Sequence, residues 1–199
     1  MKKKLKILAA GDFHGDSDLT KKLAERAERE KVDFVILAGD ILSPFQTKNI
    51  LKPFKDRNKK VLLLPGNHES LAEINFLAEL YGMRNIHGYS IRAGDVGIFG
   101  AGGALDFNTS EKEIYETLKK GNSALKGLKK KIMITHMHSA GTMSEFSGIE
   151  GSRSIRKAIE TFKPDFLIHS HIHEAEGIEE KIGKTRVINV GRKGRIIEL

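Results

Sequence analysis

Leu62-Leu63-Leu64-Pro65-Gly66-Asn67-His68-Glu69 is the stretch on which the fold can be decided. Three consecutive leucines are too few for a buried helix and apolar on both faces, which predicts a strand inside a layered core; Pro65-Gly66 ends it. An amide, an imidazole and a carboxylate follow at once, so ligand-capable side chains stand at the mouth of a buried strand. The pattern occurs four more times. Ile7 to Ala10 enters Gly11-Asp12-Phe13-His14-Gly15, and Phe34 to Ala38 enters Gly39-Asp40. Ile132 to Thr135 enters His136, and Phe166 to Ile168 enters His169-Ser170-His171-Ile172-His173.

Between these runs the periodicity is helical. Leu19, Leu23 and Ala27, at i, i+4 and i+8, predict a helix over 18–31, and residues 46–57 read as a second one. Ser70-Leu71-Ala72-Glu73 and Ser110-Glu111-Lys112-Glu113 are capping boxes that open helices reaching Leu80 and Lys120. Ile155, Ala158, Ile159 and Phe162 mark the apolar face of a helix over 152–162. Strands are expected at 33–38, 60–64, 131–135 and 165–169, with short ones in 85–100 around a Gly94-Asp95 turn. Residues 137–151 read as a loop. Residues 176–198 read as antiparallel strands that turn at Gly183-Lys184 and at Gly191 to Gly194. Alternating strands and helices followed by a strand-rich tail predict an α/β fold with a mixed sheet, taken as one domain over 1–199. In such sheets ligands gather beyond the carboxyl ends of the strands, where all the polar residues above fall.

Composition removes several alternatives. The chain has no Cys, which excludes disulfides and thiolate metal sites. After Met1-Lys2-Lys3-Lys4 the apolar stretch is only Leu5 to Ala10, interrupted by Lys6; a signal core needs ~7–15 residues and a membrane span ~20. A cytoplasmic protein with no membrane partner is expected. The net charge is +8, but Lys2-Lys3-Lys4, Lys59-Lys60 and Lys129-Lys130-Lys131 each precede a strand, at the end opposite the ligand-bearing loops. A nucleic-acid partner is therefore not favoured.

Of the eight histidines, His14, His68, His136, His138, His169, His171 and His173 lie at or beside strand ends; His87 does not and is expected to be structural. Asp12, Asp40 and Asn67 each have a plain reading as turn residues, and His136 one as a core histidine. Turn chemistry, however, gives no reason for so much histidine at strand ends. Nitrogen and oxygen donors without thiolate suit Zn, Mn, Fe, Co or Ni. Asp12, His14, Asp40, Asn67, His136, His171 and His173 are too many for one tetrahedral ion and suit two, ~3.5–4 Å apart. Asp12 with His14, and His171 with His173, are i, i+2 pairs. In extended chain these point to one side, roughly 7 Å apart, to share an ion or serve neighbouring ones. Two divalent ions against two carboxylates leave positive charge, and a phosphate is the natural guest.

Gly11-Asp12-Phe13-His14, Gly39-Asp40, Gly66-Asn67-His68-Glu69, Thr135-His136 and His171-Ile172-His173 together resemble the calcineurin-like metallophosphoesterase superfamily, in the family's order over nearly the whole chain. The resemblance implies a four-layer α/β/β/α sandwich of two packed mixed sheets. It implies that Asp12, His14, Asp40 and His173 hold one metal, and that Asp40, as bridge, holds the second with Asn67, His136 and His171. His68 would be the outer-sphere acid for the leaving oxygen, with Glu69 orienting its imidazole. The implied cofactors are two divalent ions (Mn, Fe, Zn, Co or Ni, with Mn favoured), and the implied reaction is in-line attack on phosphorus by a metal-bridging hydroxide.

Gly100-Ala101-Gly102-Gly103 with Phe107-Asn108-Thr109, Gly151-Ser152 with Arg156, and His171 to Ala175 with Gly177 are similar to small prokaryotic Icc-related phosphoesterases. That branch resembles cyclic-nucleotide phosphodiesterases, which implies a phosphodiesterase acting on a small phosphorylated or nucleotide substrate. His138-Ser139 stand where the branch has two prolines, and Ser170 where it has glycine; both bear on pocket shape and loop rigidity. His138 is a further candidate for substrate or supporting contacts, and so is Arg156, which with Arg153 opens a helix beside the metal loop; for Arg156 a surface salt bridge is the equal alternative. A phosphomonoesterase or a nuclease on the same site, and a non-catalytic metal-binding scaffold, are the alternatives. Protein phosphatases resemble Gly-Asp-x-x-Asp-Arg-Gly at the second motif, where this chain has Gly39-Asp40-Ile41-Leu42-Ser43-Pro44. A nuclease lacks an aromatic-basic stacking platform here, and a scaffold gives no reason for an intact ligand set.

Overall fold

Each apolar run becomes a strand in the computed structural model, which describes residues 4–44, 48–105 and 109–199. The strands in chain order are β1 (Lys6–Ala10), β2 (Phe34–Leu37), β3 (Val61–Leu63), β4 (Arg84–Asn85), β5 (Ser90–Ala93) and β6 (Val96–Ala101). β7 (Lys130–Thr135), β8 (Phe166–His169), β9 (Glu179–Ile182), β10 (Thr185–Asn189) and β11 (Arg195–Glu198) complete the set. The helices are α1 (Ser17–Arg29), α2 (Lys52–Asp56), α3 (Leu71–Tyr81), α4 (Glu111–Ser123) and α5 (Arg153–Phe162).

The strands form two mixed sheets. One has the order β11-β1-β2-β3-β4, with β1 to β4 parallel and β11 antiparallel to β1. The other has the order β5-β6-β7-β8-β10-β9, with the middle four strands parallel. Successive residues of a strand face opposite ways. Ile7, Ile36, Leu62 and Leu64 therefore pack on Ile98, Ile134, Ile168 and Ile188 between the sheets. Leu8, Val35, Leu37 and Leu63 face outward onto Leu23, Phe54 and Leu77 of α1, α2 and α3. Phe99, Met133, Leu167 and Val187 face α4 and α5 through Ile114, Leu118, Ile155 and Ile159. Both faces of each central strand are buried, which is why these strands read as unbroken apolar runs. The four layers are those of an α/β/β/α sandwich.

Both capping boxes form: Ser70 and Glu73, and Ser110 and Glu113, satisfy each other's backbone N–H groups. Two expectations need correction. The second helix is not 46–57 but only Lys52–Asp56, residues 45–47 lying outside the described residues. Pro53 sits in its first turn, and proline, having no N–H, is accommodated only there. Residues 176–198 do not form one antiparallel meander. β9 and β10 make a hairpin at Gly183-Lys184, but β10 pairs parallel with β8 on its other side. With both edges of β10 paired, the chain crosses at Gly191 to Gly194 to the other sheet, where β11 pairs with β1. The two-residue strand β4 was not anticipated.

The parallel strands bring the loops after β1, β2, β3, β7 and β8 to one end of the sandwich. The opposite end carries basic side chains, with Lys4, Lys60, Arg92 and Lys130 lining a cleft of about 730 Å³. Lys2 and Lys3 lie outside the described residues. Among the described residues no helix is long and apolar enough to cross a membrane.

One carboxylate ties α4 to α5. Glu111 accepts the Ser152 hydroxyl at 2.6 Å and the N–H groups of Arg153 and Ser154, both at 2.8 Å. Burial pushes its carboxyl up, but these three donors outweigh burial and the net shift is below the usual 4.5. A depressed folded value means that the stabilisation is present above pH 4.5 and is lost as pH falls through the folded pKa. Glu111→Ala is expected to cost roughly 2–3 kcal/mol in urea unfolding at pH 7. The gap between wild type and Glu111→Gln should close in acid, and a gap that did not change with pH would contradict this reading.

Candidate metal centre

Asp12, His14, Asp40 and His171 all have positive φ, at 57°, 45°, 53° and 72°. Non-glycine residues rarely adopt this left-handed conformation, which costs on the order of 1 kcal/mol each. Four such residues meet at one end of the sheets, and the surroundings hold them there. Asp12 N–H donates to Gly39 O, His14 N–H to Asp40 O and Gly15 N–H to Ile41 O, zipping the first two loops together. This corrects the expected extended geometry of the i, i+2 pairs: the chain turns at Asp12, His14 and His171. Buried Ile172 lies between His171 and His173, which join different sides of the site.

The candidate ligands converge as two sets. Asp12, His14 and His173 form one, with His14 Nε2 3.2 Å from His173 Nε2. Asp40, His136 and His171 form the other, with His136 Nε2 3.1 Å from His171 Nδ1. Asp40 Oδ2 lies between them, 3.4 Å from His136 Nε2 and 3.8 Å from His14 Nε2. Asn67 joins the second set through Oδ1, 2.9 Å from His136 Nε2. All seven sequence-derived candidates are thus brought together.

The tautomer of His136 shows what these atoms suit. Its Nδ1–H donates to Ala38 O at 2.8 Å, so in the neutral ring Nε2 carries the lone pair. That lone pair faces Asn67 Oδ1, His171 Nδ1 and Asp40 Oδ2. These atoms need positive charge among them: a proton on Nε2, which then donates to Asp40 or Asn67, or a bound cation in its place. Asp12 and Asp40 are buried, and among the described residues no Lys or Arg pairs with either carboxylate. The donor set fits divalent metal: oxygen and nitrogen atoms, two buried carboxylates and imidazoles held by outer hydrogen bonds.

The charges follow from burial and neighbours. For Asp12, burial outweighs the attraction of His136 and raises the carboxyl above 3.8. For Asp40, burial pushes up, but the His136 hydrogen bond and charge prevail and hold it well below the usual range. Burial pushes His136 down, yet Asp40 and Asp12 raise it overall. Burial and the neighbouring His136 lower His171 to about 4, and burial lowers His169 to about 3, leaving both neutral at pH 7.

Glycines allow this approach. A Cβ at Gly66 would overlap the Asp40 carboxylate, and one at Gly39, whose φ is +90°, would stand 2.6 Å from His136 Nδ1. Ser170 fits in place of the branch's glycine because it bonds across the sandwich. Its hydroxyl donates to Ala38 O at 2.8 Å and lies 3.2 Å from His136 Nδ1.

His68 is on the solvent side, with its side chain half-exposed, its ring edge-on to His14 at 5.0 Å and Nε2 3.9 Å from Asp40 Oδ2. Glu69 does not serve as the expected partner of that ring. It is buried, and its carboxylate accepts three backbone N–H groups: Leu42 at 2.7 Å, Gly66 at 2.9 Å and Asp40 at 3.1 Å. It holds the Asp40 and Asn67 loops in place instead. Arg156 is also corrected. It pairs with Glu160 one turn along α5, at 2.8 Å, on an exposed face. The helix end expected to take phosphate is filled by Glu111, which takes the N–H groups of residues 153 and 154.

His138 is buried beside His171, their ring centroids 6.4 Å apart, and its Nε2–H donates to Ile149 O at 3.2 Å. It braces the 137–151 loop, which also pairs with Ser152 and contains a 3₁₀ turn at Met143–Ser147. His169 stays out of both ligand sets, its Nδ1–H donating to Ser170 O. Phe107 and Asn108 lie outside the described residues.

Two supporting residues escaped the sequence reading. Asn189 is buried and donates to Ile172 O at 2.8 Å while accepting Gly191 N–H, which orders the loop between His171 and His173. Arg192 pairs with Asp16 at 2.6 Å and reaches Asp12 O at 3.4 Å. Their only sequence signal is their place at a turn.

Comparison with known proteins agrees with this geometry. The model of the calcineurin-like phosphoesterase family matches residues 5–175. Among solved structures, TT1561 of Thermus thermophilus matches with a TM-score of 0.76 at 19% identity, over 96% of this chain and 91% of its own. A phosphodiesterase described as archaeal matches at 0.57 and 19% identity, over 98% and 99%. A dimetal phosphatase from Danio rerio, LOC 393393, matches at 0.61 and 13% identity, over 95% and 88%. At these identities the structural likenesses carry the fold alone. No curated protein matches the chain. The family match spans most of the sequence, and the chain belongs to the calcineurin-like phosphoesterase family.

Proposed function

We propose that this chain is a dinuclear metal-dependent phosphodiesterase acting on a small, nucleotide-like diester in the cytoplasm. The observation that carries the reading is the position of Asp40 Oδ2, within 3.8 Å of both His14 and His136, where one carboxylate can serve two ions. Asp12, His14 and His173 would hold one ion, and Asn67, His136 and His171 the other. The oxygen-rich share of the set, Asp12, Asp40 and Asn67, accords with manganese. When bound, such a pair of ions lowers the pKa of a water and neutralises phosphate charge.

The chain's own residues supply the rest. Ala38 O and Ser170 fix the His136 tautomer, and Glu69 holds Asp40 through its backbone. His68, half-exposed on the solvent side where substrate would sit, donates a proton to the leaving oxygen. A diester is favoured over a monoester because two cavities meet at Asn67. One, of about 490 Å³, is lined by His68, His87 and Thr117; the other, of about 340 Å³, by Leu105, Met137, Ile149 and His171. A monoester has one organic arm and would use one of them. The phosphodiesterase and dimetal phosphatase among the structural neighbours are compatible with this reading.

The test pairs bis(p-nitrophenyl) phosphate with p-nitrophenyl phosphate on manganese-loaded protein. The diester should turn over faster. His68→Ala should lower kcat on the order of 10²-fold with metal content unchanged, as expected for a lost general acid. Metal bound with no turnover of either ester would favour the scaffold reading.

A further inference from the structure

We propose that the cavity of about 490 Å³ beside His68 is the leaving-group subsite, and that His87 reads an uncharged, nucleoside-sized group through its Nε2–H. The inference rests on the phosphodiesterase reading, and four observations carry it.

The first is position. The cavity is lined by Asn67 and His68 together with His87, Gly102 and Thr117. A group whose oxygen is protonated by His68 departs into this space.

The second is the tautomer of His87. Gly102 N–H donates to its Nδ1 at 3.1 Å, so Nδ1 is an acceptor and the neutral ring carries its proton on Nε2. Burial, helped by the charge of Lys120, lowers the ring's pKa and keeps it neutral at pH 7. The backbone is fixed as well: His87 N–H donates to Asn85 Oδ1 at 2.9 Å, and His87 pairs with Gly100. The structural role expected for His87 thus leaves one donor, held by a rigid frame, for a ligand's acceptor.

The third is charge. The described lining has two carboxylates, Glu69 and Glu113, and no Lys or Arg. Glu69 is taken up by backbone N–H groups, and Glu113 is held in ionised form by Ser110. A leaving group that carried a phosphate would meet the ionised Glu113 with no Lys or Arg in the described lining to pair with, Lys120 lying outside it over Tyr89, whereas a nucleoside would meet no such repulsion. The fourth is size, since the volume falls within the ~300–1,000 Å³ of small-molecule sites.

The experiment compares thymidylyl-(3′,5′)-thymidine, whose leaving group is a neutral nucleoside, with the same dinucleoside phosphorylated at both ends, whose leaving group is a nucleotide departing from the same kind of P–O–C bond. Manganese-loaded wild type should prefer the dinucleoside by at least about tenfold in kcat/KM. His87→Phe should raise KM for the dinucleoside about tenfold, the loss of one hydrogen bond, with kcat within about twofold. Thr117→Val leaves the His87–Gly102 bond in place and should raise KM in the same direction, so misfolding at His87 cannot mimic the result. Independently of turnover, thymidine should shift the ¹⁵Nε2 resonance of His87 in the wild-type protein. Preference for the end-phosphorylated dinucleotide, an unchanged KM in both variants, or an unmoved His87 resonance would each overturn the subsite. Failure to hydrolyse any diester would instead overturn the phosphodiesterase reading, while the thymidine titration would still decide the subsite.

Discussion

Asp40→Asn is expected to lower kcat/KM for bis(p-nitrophenyl) phosphate by roughly 10³-fold or more, while the protein stays folded. Asparagine keeps the shape, tolerates the positive φ of this position and retains an oxygen for His68 N–H, which donates to Asp40 Oδ1 at 3.1 Å. The charge alone is removed. Asp40 Oδ2 lies 3.8 Å from His14 Nε2 and 3.4 Å from His136 Nε2, so its neutralisation weakens both halves of the site. Manganese content should fall with activity, and the metal-free protein should stay folded with a modestly lower melting temperature, because the attraction between the Asp40 carboxylate and His136 is lost. A variant with full activity would show that the two sets work without a shared anion. A variant that lost activity only because it unfolded would leave the metal-free melting curve far below wild type, which the retained shape argues against.

Glu69→Ala is expected to have the largest effect on stability. Three backbone N–H groups, of Asp40, Leu42 and Gly66, lose their common acceptor in the interior. Each unsatisfied group costs about 1–3 kcal/mol, and the total, roughly 3–9 kcal/mol, is a large part of a typical folding free energy. For a chain of this length that corresponds to a fall in Tm of about 6–36 °C. Glu69→Gln keeps one acceptor oxygen and should recover part of the loss. Metal binding should weaken as well, because the Asp40 and Asn67 loops are no longer tied. Thermal unfolding with and without manganese checks both parts; an alanine variant within about 1 kcal/mol of wild type would contradict the role assigned to Glu69.

What could be read in the sequence and what could not divide along physical lines. The strands were legible because both their faces are buried, so Ile7 to Ala10 or Phe166 to Ile168 appear as short apolar runs. The starts of α3 and α4 were legible because a capping box is local: Ser70 with Glu73 and Ser110 with Glu113 satisfy each other within four residues. The seven candidate ligands could be gathered because parallel strands deliver their ends to one edge. Non-local features were hidden. That β11 crosses to pair with β1 depends on β8 taking the far edge of β10, which no local pattern records. The left-handed backbone of Asp12, His14, Asp40 and His171 is imposed by contacts between loops, so extended geometry was the wrong default. Glu69 follows His68 directly, yet its carboxylate turns to the N–H groups of Asp40 and Leu42, far away in the chain. Arg156 looked like an anion binder at a helix start until Glu111, from another helix, proved to fill that place.

The strained loops, the glycine contacts and the outer hydrogen bonds all serve one arrangement, in which Asp40 stands between two sets of ligands. Anomalous diffraction at the manganese edge, from crystals grown with manganese, tests it most directly. Two peaks about 3.5–4 Å apart on either side of the Asp40 carboxylate are the predicted result. A single peak, or peaks away from Asp40, would contradict it.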